Sequence, residues 1–87
     1  MGEIVATLGI VEALEKDKEF KQILDQAIAD YKNCEWGETG EDDKVLNDQA
    51  IASGGKILAC YKYGERLVFI ETDTDRKQTT IMFDDEI

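Results

Sequence analysis

The sequence contains no histidine and no proline in 87 residues. Lacking histidine, it lacks the commonest general base, the commonest metal ligand and the side chain that changes charge near neutrality. Average usage would place about four prolines in a chain of this length. Their absence leaves the loops unstiffened and removes slow X-Pro isomerisation from folding. Cysteine is scarce: Cys34 and Cys60 stand far apart, with no CxxC partner. That spacing carries neither a zinc nor a dithiol signal. The expected pair is a buried Cys60 and an incidental Cys34, both reduced. Long apolar runs are missing too, and nothing approaches the roughly 20 residues of a membrane span. The opening MGEIVATLGIVEALEK has an acidic residue where a signal peptide needs a basic one, and Thr7, Gly9 and Glu12 break its apolar run. Met1-Gly2 begins like a myristoylation signal, but Thr7 falls one place late and no basic segment follows. These features predict a cytoplasmic chain without a membrane partner.

Catalytic patterns are equally sparse. No nucleophile–base pair, phosphate-binding glycine loop or cofactor motif occurs, and the adjacent acids Asp42 and Asp43 have no catalytic companions. Thr79 and Thr80 are ordinary strand residues. Glu71, Asp73 and Asp75 alternate, which in an extended chain sets them on one face, as a divalent cation would require. Arg76 and Met82, however, occupy the positions where an EF-hand loop needs Gly and Glu, and Arg76 and Lys77 neutralise the group. A solvated turn is the plainer reading. The expectation is a protein that is not an enzyme, with no cofactor and no metal.

What the chain has in excess is negative charge: twenty acidic residues against ten basic, a net charge of −10. Small domains are soluble at magnitudes of about 2–8. Such a surface repels nucleic acid and anionic membrane and attracts basic protein surfaces or cations. Serving solubility alone is an equally good account of it. The length allows one domain over residues 1–87, with a modest core. Domains of this size often gain stability from disulfides, metals or self-association. The first two have no signal here, so a homo-oligomer stays open.

The pattern along the chain predicts an α+β domain, with two to three N-terminal helices packed on a C-terminal three-stranded antiparallel meander. Ile4, Leu8, Val11 and Leu14 favour a helix over 3–16, although β-branched Ile4, Val5 and Thr7 allow a short strand at 3–8. Residues 18–33 give the clearest helix. Phe20, Ile23, Leu24, Ala27, Ile28 and Tyr31 form one stripe, and Asp17 is a plausible N-cap. A glycine-punctuated loop covers 34–40. Thr39 and Asp42 suggest a weak capping box for a third helix over about 40–53, which should bury Leu46, Ala50 and, as a third candidate, Val45 before Gly54-Gly55 stops it. Strands are expected at 56–63, 66–72 and 77–83, with Gly64-Glu65 and 73–76 as turns. Tyr61, Tyr63 and Phe69 should form cross-strand aromatic pairs. Strand 77–83 should lie at a sheet edge, where Asp84-Asp85-Glu86 would discourage edge-to-edge pairing.

The densest acidic stretch is 35–48. Its Glu38, Glu41, Asp42, Asp43 and Asp48, with Trp36, are the candidate partner-binding residues. Carboxylates at this density could imitate a run of phosphates: B-DNA carries about one charge per 1.7 Å of axis, comparable to the helix rise of about 1.5 Å per residue. Such a surface could occupy the nucleic-acid channel of a basic protein. For this segment alone, a solvated helix N-terminus is the stronger reading. Trp36, beside Gly37, is either a lid on the core, which is the better fit, or an exposed anchor.

Three groups of residues together resemble a known set of proteins: IVATLGIVEALEK at 4–16; Trp36-Gly37 with Glu41-Asp42-Asp43-Lys44 and Leu46-Asn47-Asp48; and Thr74-Asp75-Arg76 with Thr79-Thr80-Ile81-Met82-Phe83. They are similar to the short, acidic, plasmid-related proteins of mobile elements in gut Firmicutes, over most of the chain. That group is expected to end in a Pro and an aromatic, where this chain has Asp84-Asp85-Glu86-Ile87. The resemblance implies a mobile-element setting and carries no established activity. By analogy of class it suggests an inhibitor of a host nucleic-acid enzyme, of anti-restriction or anti-CRISPR type. The alternatives are an assembly module pairing through strand 77–83, or a regulatory accessory factor acting through a DNA-binding partner. Direct nucleic-acid binding is disfavoured by the charge.

Overall fold

A computed structural model describes residues 3–86; the Met1-Gly2 opening and Ile87 lie outside them. The elements run β1 (Glu3–Ala6), α1 (Leu8–Lys16), α2 (Lys18–Lys32), α3 (Glu41–Ser53), β2 (Ile57–Tyr63), β3 (Arg66–Thr72) and β4 (Gln78–Phe83), closing in a 3-10 turn at Asp84–Glu86. The chain is α+β. Its sheet is a four-stranded mixed one in the order β1-β4-β3-β2, with β1 parallel to β4 and the remaining pairs antiparallel.

Two expectations are corrected by this topology. The sheet is not a three-stranded antiparallel meander, because a fourth strand joins from the N-terminal segment expected to be helical. β-branched Ile4 and Val5 suit an extended edge, and only residues from Leu8 onward coil into helix. Within α1 the buried side runs through Ile10, with Ala13 and Leu14 packed partly behind it, while Leu8 is 72% exposed. Strand 77–83 is likewise not an edge. β4 lies between β1 and β3, and the edges are β1 and β2.

α2 follows its pattern. Asp17 Oδ1 accepts from the Glu19 N–H (2.9 Å), and Phe20, Leu24, Ala27 and Tyr31 are buried. Strand alternation sends Ile57, Ala59, Tyr61, Val68, Ile70, Ile81 and Phe83 to the helical side, where they meet α1 and α2 in one cluster. Phe20 packs against Tyr63 (4.5 Å between ring centroids) and Phe83 (5.5 Å). Phe69 does not join Tyr61 and Tyr63: it lies opposite Cys60 and Met82 on the other face. Beneath α2 the Tyr31 hydroxyl bonds Thr72 Oγ1 (2.5 Å), which bonds Thr79 Oγ1 (2.9 Å), so the buried hydroxyls satisfy one another.

Candidate functional site

α3 sits beside β2, at the margin of the sheet. Its buried residues are Asn47 and Ala50, one turn apart, and not the expected Leu46 and Val45, which are exposed. The reason is the edge of β2, whose outward backbone groups need partners. Asn47 Nδ2 donates to the Leu58 carbonyl (2.8 Å), and its Oδ1 accepts from the Leu58 N–H (3.1 Å). Two residues on, Thr39 Oγ1 accepts from the Cys60 N–H (2.9 Å), and the Glu38 N–H donates to the Cys60 carbonyl (2.8 Å). Segment 38–47 thus stands in for a fifth strand, which fixes where its acids point.

Thr39 therefore does not cap α3. Gly40 holds the N-cap position, with no side-chain cap bond. Glu41, Asp42 and Asp43 occupy the first turn, where the helix dipole favours them, and all three are exposed, as is Glu38. At 3.6 residues per turn they fan around the helix end instead of forming a line. Glu41 is 3.4 Å from Lys44; Glu38, Asp42 and Asp43 have no ion-pair partner among the described residues. Glu38 and Asp43 border a groove of about 390 Å³ between α3 and β2, floored by Leu46, Leu58 and Phe69.

The remaining candidates serve the fold. Trp36 is only 4% exposed, edge-on to Tyr31 at 5.5 Å, and its indole N–H donates to Asp48 Oδ1 (2.9 Å). The exposed-anchor alternative for Trp36 gives way to the lid, and Asp48 spends one oxygen holding it. Gly37 makes this loop possible: φ is +59°, and a Cβ there would lie 2.6 Å from the Tyr61 ring. Burial raises the Cys60 thiol above its ordinary value, keeping it protonated and unreactive at neutral pH. Glu71, Asp73 and Asp75 are not gathered: Glu71 pairs with Lys56 (3.2 Å), and Asp75 accepts from the Lys77 N–H (3.0 Å). Among the described residues no three acidic or thiol groups converge as a cation would need, and no helix is long and apolar enough to cross a membrane.

Sequence reasoning missed Asn47, Thr39 and Glu86. The last accepts from the Thr7 hydroxyl (2.7 Å) and the Gly9 N–H (3.0 Å) at the start of α1, and from the Phe83 N–H (3.0 Å). Asn47 had a signal, a polar residue at the i−3 position of the stripe that holds Ala50. Glu86 had none. No protein-family model, curated protein or solved structure matches the chain.

Proposed function

We propose that this protein is a non-enzymatic binding protein that presents the acidic end of α3 to a basic protein surface, in the manner of a nucleic-acid mimic. The observation that carries the reading is the set Glu38, Glu41, Asp42 and Asp43: four exposed carboxylates at one helix end, served by a single weak ion pair. The helix dipole adds positive potential beneath them, so the acids are stabilised in place without being neutralised. The resemblance to plasmid-related proteins supports a host nucleic-acid enzyme as the class of target.

The test is capture from a Gram-positive lysate, eluted with duplex DNA or along a salt gradient. Release by both is expected, and the triple variant Glu41→Lys, Asp42→Lys, Asp43→Lys should lose at least about tenfold in affinity with its circular dichroism unchanged. If the folded triple variant binds the same proteins equally well, the mimic reading is abandoned. The assembly alternative loses its original route, because β4 has no free edge.

A further inference from the structure

The helices cover one face of the sheet only. The opposite face carries Leu58, Leu67, Phe69 and Met82, with Val5 at its β1 side, set among Lys62, Glu71, Gln78, Thr80 and the buried Cys60. Phe69 is central: it lies between Cys60 on β2 and Met82 on β4, and it is only partly covered. Leu58 is 39% exposed, and Leu46 of α3 extends the apolar strip past the β2 margin. Among the described residues no layer packs there, although antiparallel sheets usually turn a more polar side than this one to water.

Charge selects the occupant. The face's own charged groups cancel, Lys56 and Lys62 against Glu3 and Glu71, on a molecule whose net charge is −10. The negative excess sits on the helices, turns and loops, with Glu38 and Asp43 reaching only the β2 margin. A basic partner is therefore drawn to the end of α3 and has no electrostatic reason to choose the open face. What fits a neutral, sheet-shaped surface with an apolar centre and balanced charges is another of the same kind, and an identical face supplies it in a two-fold arrangement. Four strands about 4.8 Å apart and about 20 Å long present roughly 400 Å² each, so a pair buries about 800 Å² before Leu46 is added. That falls short of the roughly 1,200 Å² at which stable specific interfaces begin, and implies weak, reversible association.

We propose that the open sheet face centred on Phe69 is the docking surface for a second copy of this chain, forming a face-to-face dimer. This does not depend on the acidic-surface reading, and its salt dependence has the opposite sign. Screening weakens attraction to a basic partner, but it relieves the repulsion between two −10 chains and so tightens the dimer.

Sedimentation equilibrium of the whole chain between about 10 µM and 1 mM, in about 0.1 M and about 1 M salt, tests it. The mass should climb from 9.8 kDa toward twice that value, and at lower concentration in the higher salt. Phe69→Lys and Leu58→Glu should each weaken association by about tenfold or more, because each buries an unpaired charge in the interface. Leu58 is exposed enough that its variant should fold even if the Phe69 variant does not. A 9.8 kDa mass under every condition overturns the proposal, as does a dimer that weakens with salt or persists unchanged in the folded Leu58→Glu variant.

Discussion

Cys34 holds a backbone conformation that suits it poorly. Its φ is +61°, and it follows the last residues of α2, where its N–H donates to the Tyr31 carbonyl and the Glu35 N–H donates to the Asp30 carbonyl. That pair of bonds closes a helix C-terminus and normally calls for glycine in the left-handed position. A side chain there costs about 1–2 kcal/mol, partly offset by the entropy that glycine loses on folding. Cys34→Gly should raise stability by roughly 0.5–1 kcal/mol, read as a higher urea midpoint at unchanged slope. A lower midpoint would mean that the exposed thiol side chain makes a contact worth more than the strain. At the same scale, Arg76, also at φ +61°, donates to the Ala50 (2.7 Å) and Gly55 (2.8 Å) carbonyls, so its unusual backbone aims a cation at the end of α3.

At the scale of elements, the most consequential contact is one amide. Asn47 meets both backbone groups of Leu58, so Asn47→Ala strands a donor and an acceptor on the β2 edge. The expected cost is about 2 kcal/mol, with faster amide hydrogen exchange at Leu58 and Cys60. Unchanged exchange at Leu58 would show that solvent already serves that edge. The same contact explains what the sequence could and could not disclose. α2 was legible because its buried stripe and its cap at Asp17 both lie within the helix. α3 was legible as a helix but not in its facing: hydrophobic periodicity presumes packing on an apolar face, and this helix packs on a strand edge, where an amide is the better fit. β1 was obscured because Ile4 continues, by helical spacing, the pattern of the helix that follows it, and its strand partner lies more than seventy residues away. The acidic end of α3 was read correctly as exposed, whereas the local capping box at Thr39 gave way to a longer-range demand from Cys60.

For the whole molecule, pH sets two effects against each other. Lowering pH from 7 shrinks the net charge of −10 toward zero near 4.3, which relieves self-repulsion. Asp17 and Glu86, however, are held below their ordinary values, Asp17 first by the Tyr63 hydroxyl and Glu86 first by the Phe83 N–H. A carboxylate whose pKa is lowered on folding contributes stability above its unfolded value and loses it as pH falls through the folded one. The melting temperature should therefore rise slightly from pH 7 to about 5 and fall once pH drops below Glu86's ordinary 4.5. Glu86→Gln should shallow that acid limb, and an identical limb in the variant would assign it to other carboxylates. The pairing of the first strand with the last also governs how the chain is made. Glu86 lies 79 residues beyond Thr7, and at about 5–20 residues per second translation takes roughly 4–16 s to cover that interval. During it α2 can form early from local sequence and the β2–β3 hairpin only near its end, while β1 waits without β4, its neighbour in the sheet. Folding of this protein is then a closing step that synthesis itself postpones, and its N-terminal strand is the segment a nascent-chain chaperone would find uncovered.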